Sequence, residues 1–326
     1  MSDWRYAFHQ NRPTLIAFAL FVVMFAIYAA NHPAGFSANV VQTAANKGVL
    51  LALVAMAQTF VVITAGIDLS VGSVFVLSNC LASWIVLGTA PTAVLGIIGV
   101  LAAGLACGAL NGLIVIYGRL QPIVTTIATG AVFMGLALIL RPTPGGDVYG
   151  PIADALTGKV FDTVPASLIG LAAVVLVVWI PYSRSAVGRG AYAIGSSEQA
   201  AFMSGVPVDR AKFFAYMLSG LTAAIGGLFL TFVTYSGEAS AGTSGSYTLY
   251  SIAAVVLGGV SLYGGSGSVI GAIFGALMFR TIGDLLFVFN LDPLWQPLFQ
   301  GLVLLAAVSL GAARLFQVRN RLELFP

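Results

Sequence analysis

Long apolar runs alternate along this chain with short polar breaks, and most runs are close to the length of a membrane crossing. A spanning helix needs about 20 mostly apolar residues, because 1.5 Å of rise per residue must cover about 30 Å of hydrocarbon. Breaks marked by Pro, Gly and charge divide the sequence into ten candidate helices, at 14–31, 42–64, 73–88, 92–117, 122–140, 166–182, 211–233, 249–262, 268–289 and 296–313. Two of them, 73–88 and 249–262, are short and read as broken or re-entrant, a form tolerated at membrane depth only where protein surrounds it. The pattern predicts an all-α polytopic membrane protein, with residues 1–326 forming a single transmembrane domain. The first run follows Arg5 and Arg12 but is longer than the apolar core of a secretion signal, and no clean small-x-small site follows it. It reads as a retained span.

Composition agrees: 59% of the 326 residues are hydrophobic and 8% are charged, against about a quarter charged in a soluble domain. The charges that remain set an orientation. With the N-terminus inside and ten spans, the inner side holds Arg5, Arg12, Arg119, Arg184, Arg189, Arg210, Lys212, Arg314, Arg319 and Arg321. The outer side, or the outer ends of spans, holds Lys47, Arg141, Lys159 and Arg280. That asymmetry is the positive-inside distribution and puts both termini in the cytoplasm. The net charge is only +3 and the basic residues are scattered singly, so nothing resembles a nucleic-acid patch. Cys80 and Cys107 have no metal-like spacing and read as small buried side chains.

Enzymatic signatures are missing. The sequence has no GxxxxGK[ST] phosphate loop, no HExxH and no nucleophile elbow, so this chain is expected to bind no cofactor and to hydrolyse no ATP itself. Residues 264–271 (GGSGSVIG) have the wrong glycine spacing for a dinucleotide fingerprint. Small residues do recur at four-residue spacing, at Gly104, Gly108 and Gly112, at Ser219, Ala223 and Gly227, and at Gly267, Gly271 and Gly275. Such stripes predict close helix contacts, because lipid supplies no hydrophobic drive between spans.

Few polar residues sit where they need explaining. Asp68 lies between two apolar spans, and a carboxylate at bilayer depth costs about 2.5–3.5 kcal/mol. Either Asp68 or Ser70 caps the following helix, or Asp68 shapes a gate in a polar cavity; the two roles are compatible. Arg280 and Asp284 are four apart and predict a pair across one helical turn. Glu238 falls in 234–248, rich in Gly, Ser and Tyr, which reads as an outer loop. Gln58, Asn79 and Asn111 lie inside spans, where each amide meets either a solute hydroxyl or a neighbouring helix. His9 and His32 lie at span ends, and no pair of carboxylates or histidines suggests proton coupling.

Two loops are long. The outer one, 141–165, is rich in Pro and Gly; the inner one, 183–210, is basic; neither accommodates a soluble domain. Within the inner loop, Ser197, Glu198, Ala200, Ala201, Phe202 and Gly205 follow the pattern of serine cap, early Glu, small helix formers and closing Gly. That predicts a helix of about two turns, too short to span and suited to docking in a partner's groove.

In order, residues 66–73 (GIDLSVGS), 121–129 (QPIVTTIAT), 188–205 (GRGAYAIGSSEQAAFMSG) and 252–271 (IAAVVLGGVSLYGGSGSVIG) resemble the inner-membrane permeases of the ribose/galactose/xylose-type ABC sugar importers. The likeness runs nearly the whole chain. It implies a ten-helix permease of the vitamin-B12-importer type (type II). Two such permeases would pair with two cytoplasmic ATPase subunits, which hold ATP and Mg, and with a periplasmic substrate-binding protein. It further implies a cytoplasmic gate near Asp68, Leu69, Ser70, Thr125 and Thr126, and a coupling helix to the ATPase at 196–205. One departure stands out. Before Ile252 such permeases commonly carry a Glu-Leu-Asp-like triplet, whereas this chain has Thr248, Leu249 and Tyr250, which leaves room for pairing with a non-identical permease. The alternatives are a secondary transporter driven by an ion gradient, and a membrane-embedded enzyme or structural protein.

Overall fold

A computed structural model describes residues 3–306 and 309. Arg314, Arg319, Arg321 and the end of the tenth predicted span lie outside the described residues. The helices are α1 (Asp3–Asn31), α2 (Ala38–Ile63), α3 (Val71–Ile85), α4 (Ala90–Gly112), α5 (Pro122–Leu140), α6 (Gly150–Thr157) and α7 (Ala166–Val174). They continue as α8 (Ile180–Arg184), α9 (Ala186–Ser196), α10 (Glu198–Met203), α11 (Val208–Thr234), α12 (Ala241–Leu257), α13 (Val269–Val288) and α14 (Gln296–Ala306). A π turn, Leu113–Tyr117, prolongs α4, and another, Val175–Trp179, joins α7 to α8. Among the described residues seven helical stretches are long and apolar enough to cross a membrane: α1, α2, α4 with its π turn, α5, α7 through α8, α11 and α13.

Helix α2 is the hub. Its apolar window is 89% buried, against 17% for α1 at the periphery, and α11, α13, α12 and α3 pack around it. The predicted small-residue stripes mark close helix contacts. A Cβ on Gly108 would stand 2.2 Å from the Tyr216 carbonyl of α11, and one on Gly275 would stand 2.1 Å from the Ala254 carbonyl of α12. Gly267 is an exception: it precedes α13 with φ +115°, a conformation that needs glycine.

Three local expectations are corrected. The span expected at 249–262 runs from Ala241 to Leu257, so the supposed loop before it is largely helix. Ser240 starts it by accepting the Thr243 N–H at 3.2 Å, and packing on α2, α3 and α13 overrides the poor helix propensity of its Gly and Ser residues. The outer loop contains α6 and a two-stranded antiparallel hairpin, β1 (Lys159–Val160) with β2 (Val164–Pro165). Asp284 pairs with Lys47 of α2 at 3.8 Å and lies outside ion-pair distance of Arg280. Helical spacing made the Arg280 contact available, but the neighbouring helix presented a second cation.

Candidate functional site

Helix α3 has 15 residues and is about 22 Å long, several ångströms short of the hydrocarbon thickness. The irregular segment between α2 and α3 is largely buried among the helices, where each buried backbone polar group needs a partner within the protein. It finds them. The Thr64 and Ala65 N–H groups bond back to Val61 and Val62 at 3.0 and 2.9 Å, with Ala65 in the left-handed region at φ +62°. The Leu69 N–H donates to the Thr126 hydroxyl of α5 at 2.9 Å, and the Ser70 N–H donates to Asp68 Oδ1 at 2.9 Å.

Asp68 is 2% exposed, and no Lys or Arg is paired with it among the described residues. The carboxyl group is held by hydrogen bonds alone. Oδ1 also accepts from the Ser70 hydroxyl at 2.6 Å, and Oδ2 accepts from the Ser219 hydroxyl of α11 at 3.1 Å. The Asn111 amide of α4 donates to Ser70 Oγ at 2.7 Å, and the Thr129 hydroxyl of α5 donates to Asn111 Oδ1 at 2.6 Å. Thr129, Asn111, Ser70 and Asp68 thus form a chain of aligned donors that ends on a carboxylate, an arrangement in which each bond polarises the next. Immediately beyond, the Gly72 N–H donates to Thr248 Oγ1 at 3.2 Å, and the Ser73 and Ser244 hydroxyls meet at 3.0 Å. The break is fastened in this way to α4, α5, α11 and α12. Relative movement of any of the four has to strain or exchange these bonds.

A second set of contacts joins the end of α2 to α9 and to the loop before α13, and α10 packs in turn on α9. The Gly265 N–H donates to the Ile63 carbonyl at the end of α2 at 3.0 Å. Gly195 of α9 lies so close that a Cβ there would be 2.0 Å from the same carbonyl and 2.3 Å from the Gly265 nitrogen. The Tyr192 hydroxyl donates to the Gly267 carbonyl at 2.7 Å, and burial pushes that hydroxyl's pKa up to about 12. Helix α10 is capped by Ser197, whose side chain accepts the Ala200 N–H, and Glu198 pairs with Lys212 at 2.7 Å. Gly205 closes it at φ +78°. Phe202 and Met203 are 70% and 81% exposed. Ala201 is not on that outward face: it is buried with Ile194, Val208 and Ala211, because α10 must seat one side on α9 and α11.

Among the other sequence candidates, the Asn79 amide takes the interhelical alternative, donating to Thr231 Oγ1 at 2.9 Å and to the Ser236 carbonyl at 3.1 Å. Gln58 and the Thr125 hydroxyl are buried without a hydrogen-bond partner among the described residues, and neither joins the Asp68 network. Sequence reasoning missed Ser219, Thr129, Ser244 and Thr248 as polar partners. Ser219 stood in a small-residue stripe and read as packing. Thr248 occupies the first position of the triplet where a carboxylate was expected, and it faces the start of α3.

A family model for the permease component of branched-chain amino acid transport systems matches residues 40–308. The chain belongs to this family. The match spans the Asp68 break and the α9, α10 segment alike. The ribose import permease protein RbsC of Bacillus subtilis (strain 168) is 38% identical over 264 residues, covering 79% of this chain and 80% of the relative. RbsC of Haemophilus influenzae is 33% identical, with 90% and 91% covered, and the D-allose transport system permease protein AlsC of Escherichia coli K12 is 29% identical, with 90% of each covered. No solved structure gives a match. Family membership and, among the described residues, seven helices long and apolar enough to cross make this a multi-pass inner-membrane permease, a transport component of the sugar ABC permease type.

Proposed function

We propose that this chain is the membrane subunit of an ATP-driven importer that moves a monosaccharide into the cytoplasm. The observation that carries the reading is the Asp68 network, a buried polar junction of the α2 to α3 break with four other helices, in a chain similar to ribose and D-allose permeases. In this reading the permease has ten spans of the vitamin-B12-importer type, with the shorter helices α3, α12 and α14 completing the count. It works as a pair with a second copy or a related permease, receives solute from a periplasmic binding protein, and is driven by separate ATPase subunits that hold ATP and Mg.

Arg184, Arg189, Arg210 and Lys212 lie in the α8 to α11 stretch and Arg119 in the break between α4 and α5, so the positive-inside rule puts these segments and both termini in the cytoplasm. Phe202 and Met203 then face the ATPase. A displacement of α9 and α10 would pass through Gly195 and Gly265 to the end of α2, and from there to the bonds that close the break. The gate consists of Asp68, Leu69, Ser70 and Thr126, with Thr125 beside them.

The test is uptake into proteoliposomes holding this permease, its co-encoded ATPase and its binding protein. Uptake of ribose or allose should require internal ATP, and the permease alone should hydrolyse none. Uptake driven by a proton or sodium gradient without ATP would overturn the energy assignment. Transport of leucine in place of sugars would overturn the substrate class.

A further inference from the structure

A cavity of about 610 Å³ opens at the end of the bundle where α1 finishes and α2 begins, away from the Asp68 break. Lys47, Arg280, His32 and Asp284 line it, with Asn39 and Gln296. Two full positive charges therefore face one carboxylate. Asp284 is shared: Lys47 approaches it to 3.8 Å and the Arg280 charge also acts on it, while no hydrogen bond or ion pair fills the Arg280 donors among the described residues. Lys159 adds a third cation beside the cavity, donating to Asn39 Oδ1 at 2.8 Å.

One carboxylate shared by two cations leaves a net positive charge, costly within a membrane protein, and the unfilled planar fork of Arg280 is shaped for a carboxylate or a phosphate. The surroundings say which kind of anion. Helix α1 is peripheral and bares Val22, Val23 and Ile27, while Phe287 and Leu291 line the cavity and are themselves 65% and 43% exposed. A basic floor continuous with apolar walls fits an anion that carries hydrocarbon. We infer that this cavity binds the phosphate of an anionic phospholipid through Arg280, Lys47 and Lys159, with acyl chains along α1 and Phe287. The inference does not depend on which solute the permease carries or on what drives it.

The test uses the purified, delipidated chain in detergent with three probes: dioleoyl phosphatidylglycerol, dioleoylglycerol (the same chains without phosphate) and inorganic phosphate. Bound lipid is counted by native mass spectrometry, and affinity is read from the shift in Tm. Phosphatidylglycerol should bind one to one and raise Tm; dioleoylglycerol should do neither. Arg280→Gln should weaken phosphatidylglycerol about fivefold, the factor expected for one lost cation near an anionic headgroup, and Arg280→Lys should restore part of it. Asp284→Asn should act in the opposite sense and tighten binding, because it frees Lys47; a purely structural role for these residues predicts no gain. If Arg280→Gln does not fold, Lys47→Gln decides, since Asp284 then turns to Arg280 and binding should fall. A full Tm shift from inorganic phosphate alone would overturn the lipid assignment. Unchanged phosphatidylglycerol affinity in the folded charge variants would overturn the site.

Discussion

Replacing Asp68 by Asn isolates the charge from the hydrogen bonds. The carboxylate accepts three: from the Ser70 N–H and hydroxyl on Oδ1, at 2.9 and 2.6 Å, and from Ser219 on Oδ2 at 3.1 Å. In the Asn side chain the remaining oxygen keeps both Ser70 bonds. The new NH2 faces Ser219, whose hydroxyl can rotate and accept instead. What is lost is charge assistance, roughly 1 kcal/mol per bond. Opposing it is relief from burying a carboxylate, about 2.5–3.5 kcal/mol at bilayer depth. The two nearly cancel, so Asp68→Asn should change stability by less than about 2 kcal/mol. Asp68→Ala gains the same relief but strands three donors, the Ser70 N–H and hydroxyl and the Ser219 hydroxyl, at about 1–3 kcal/mol each, and should be clearly less stable than Asp68→Asn. Stability would be followed by unfolding in mixed micelles, and coupling by sugar uptake per ATP hydrolysed in proteoliposomes. With the gate reading, Asp68→Asn keeps near-normal stability yet loses uptake or its coupling to ATP. Wild-type uptake and coupling in Asp68→Asn would reduce the residue to a cap, and an Asn variant as unstable as the Ala variant would refute the hydrogen-bond accounting.

Two further outcomes are expected. Met203→Glu and Phe202→Glu change exposed side chains on α10, so the chain should insert and unfold normally while ATPase association weakens about 30-fold, as for an interface anchor of about 2 kcal/mol; co-purification at wild-type yield would sink the docking face. Ala201→Arg is the poorer probe, because that side chain is buried and an arginine there would unseat α10 from its own protein. Gly195→Ala adds a carbon 2.0 Å from the Ile63 carbonyl and must push α9 off the end of α2, so the complex should still assemble but take up less sugar per ATP. Unchanged coupling in that variant would show that α9 does not act through this contact.

The seven long apolar helices were written in the sequence because they depend on length and solvent: an apolar run of about 20 residues has no better place than lipid, whatever it packs against. The α10 helix was legible for a similar reason, since the Ser197 cap and the Gly205 stop act within their own turn. Asp68 announced itself as a lone carboxylate between apolar runs. Its partners did not, for Ser219 lies 151 positions away and Asn111 reaches Ser70 across 41. The same limit explains the misplaced start of α12, whose Gly and Ser residues are helical because α2, α3 and α13 surround them. It also explains why Asp284 meets Lys47 of another helix besides the Arg280 charge of its own, and why Ala201 turned inward while Phe202 and Met203 turned out. Sequence alone determined what each segment is, through local capping and the demand of lipid for apolar surface. Only the tertiary structure decided which polar groups meet, because inside a membrane a donor is satisfied by whichever helix packs against it.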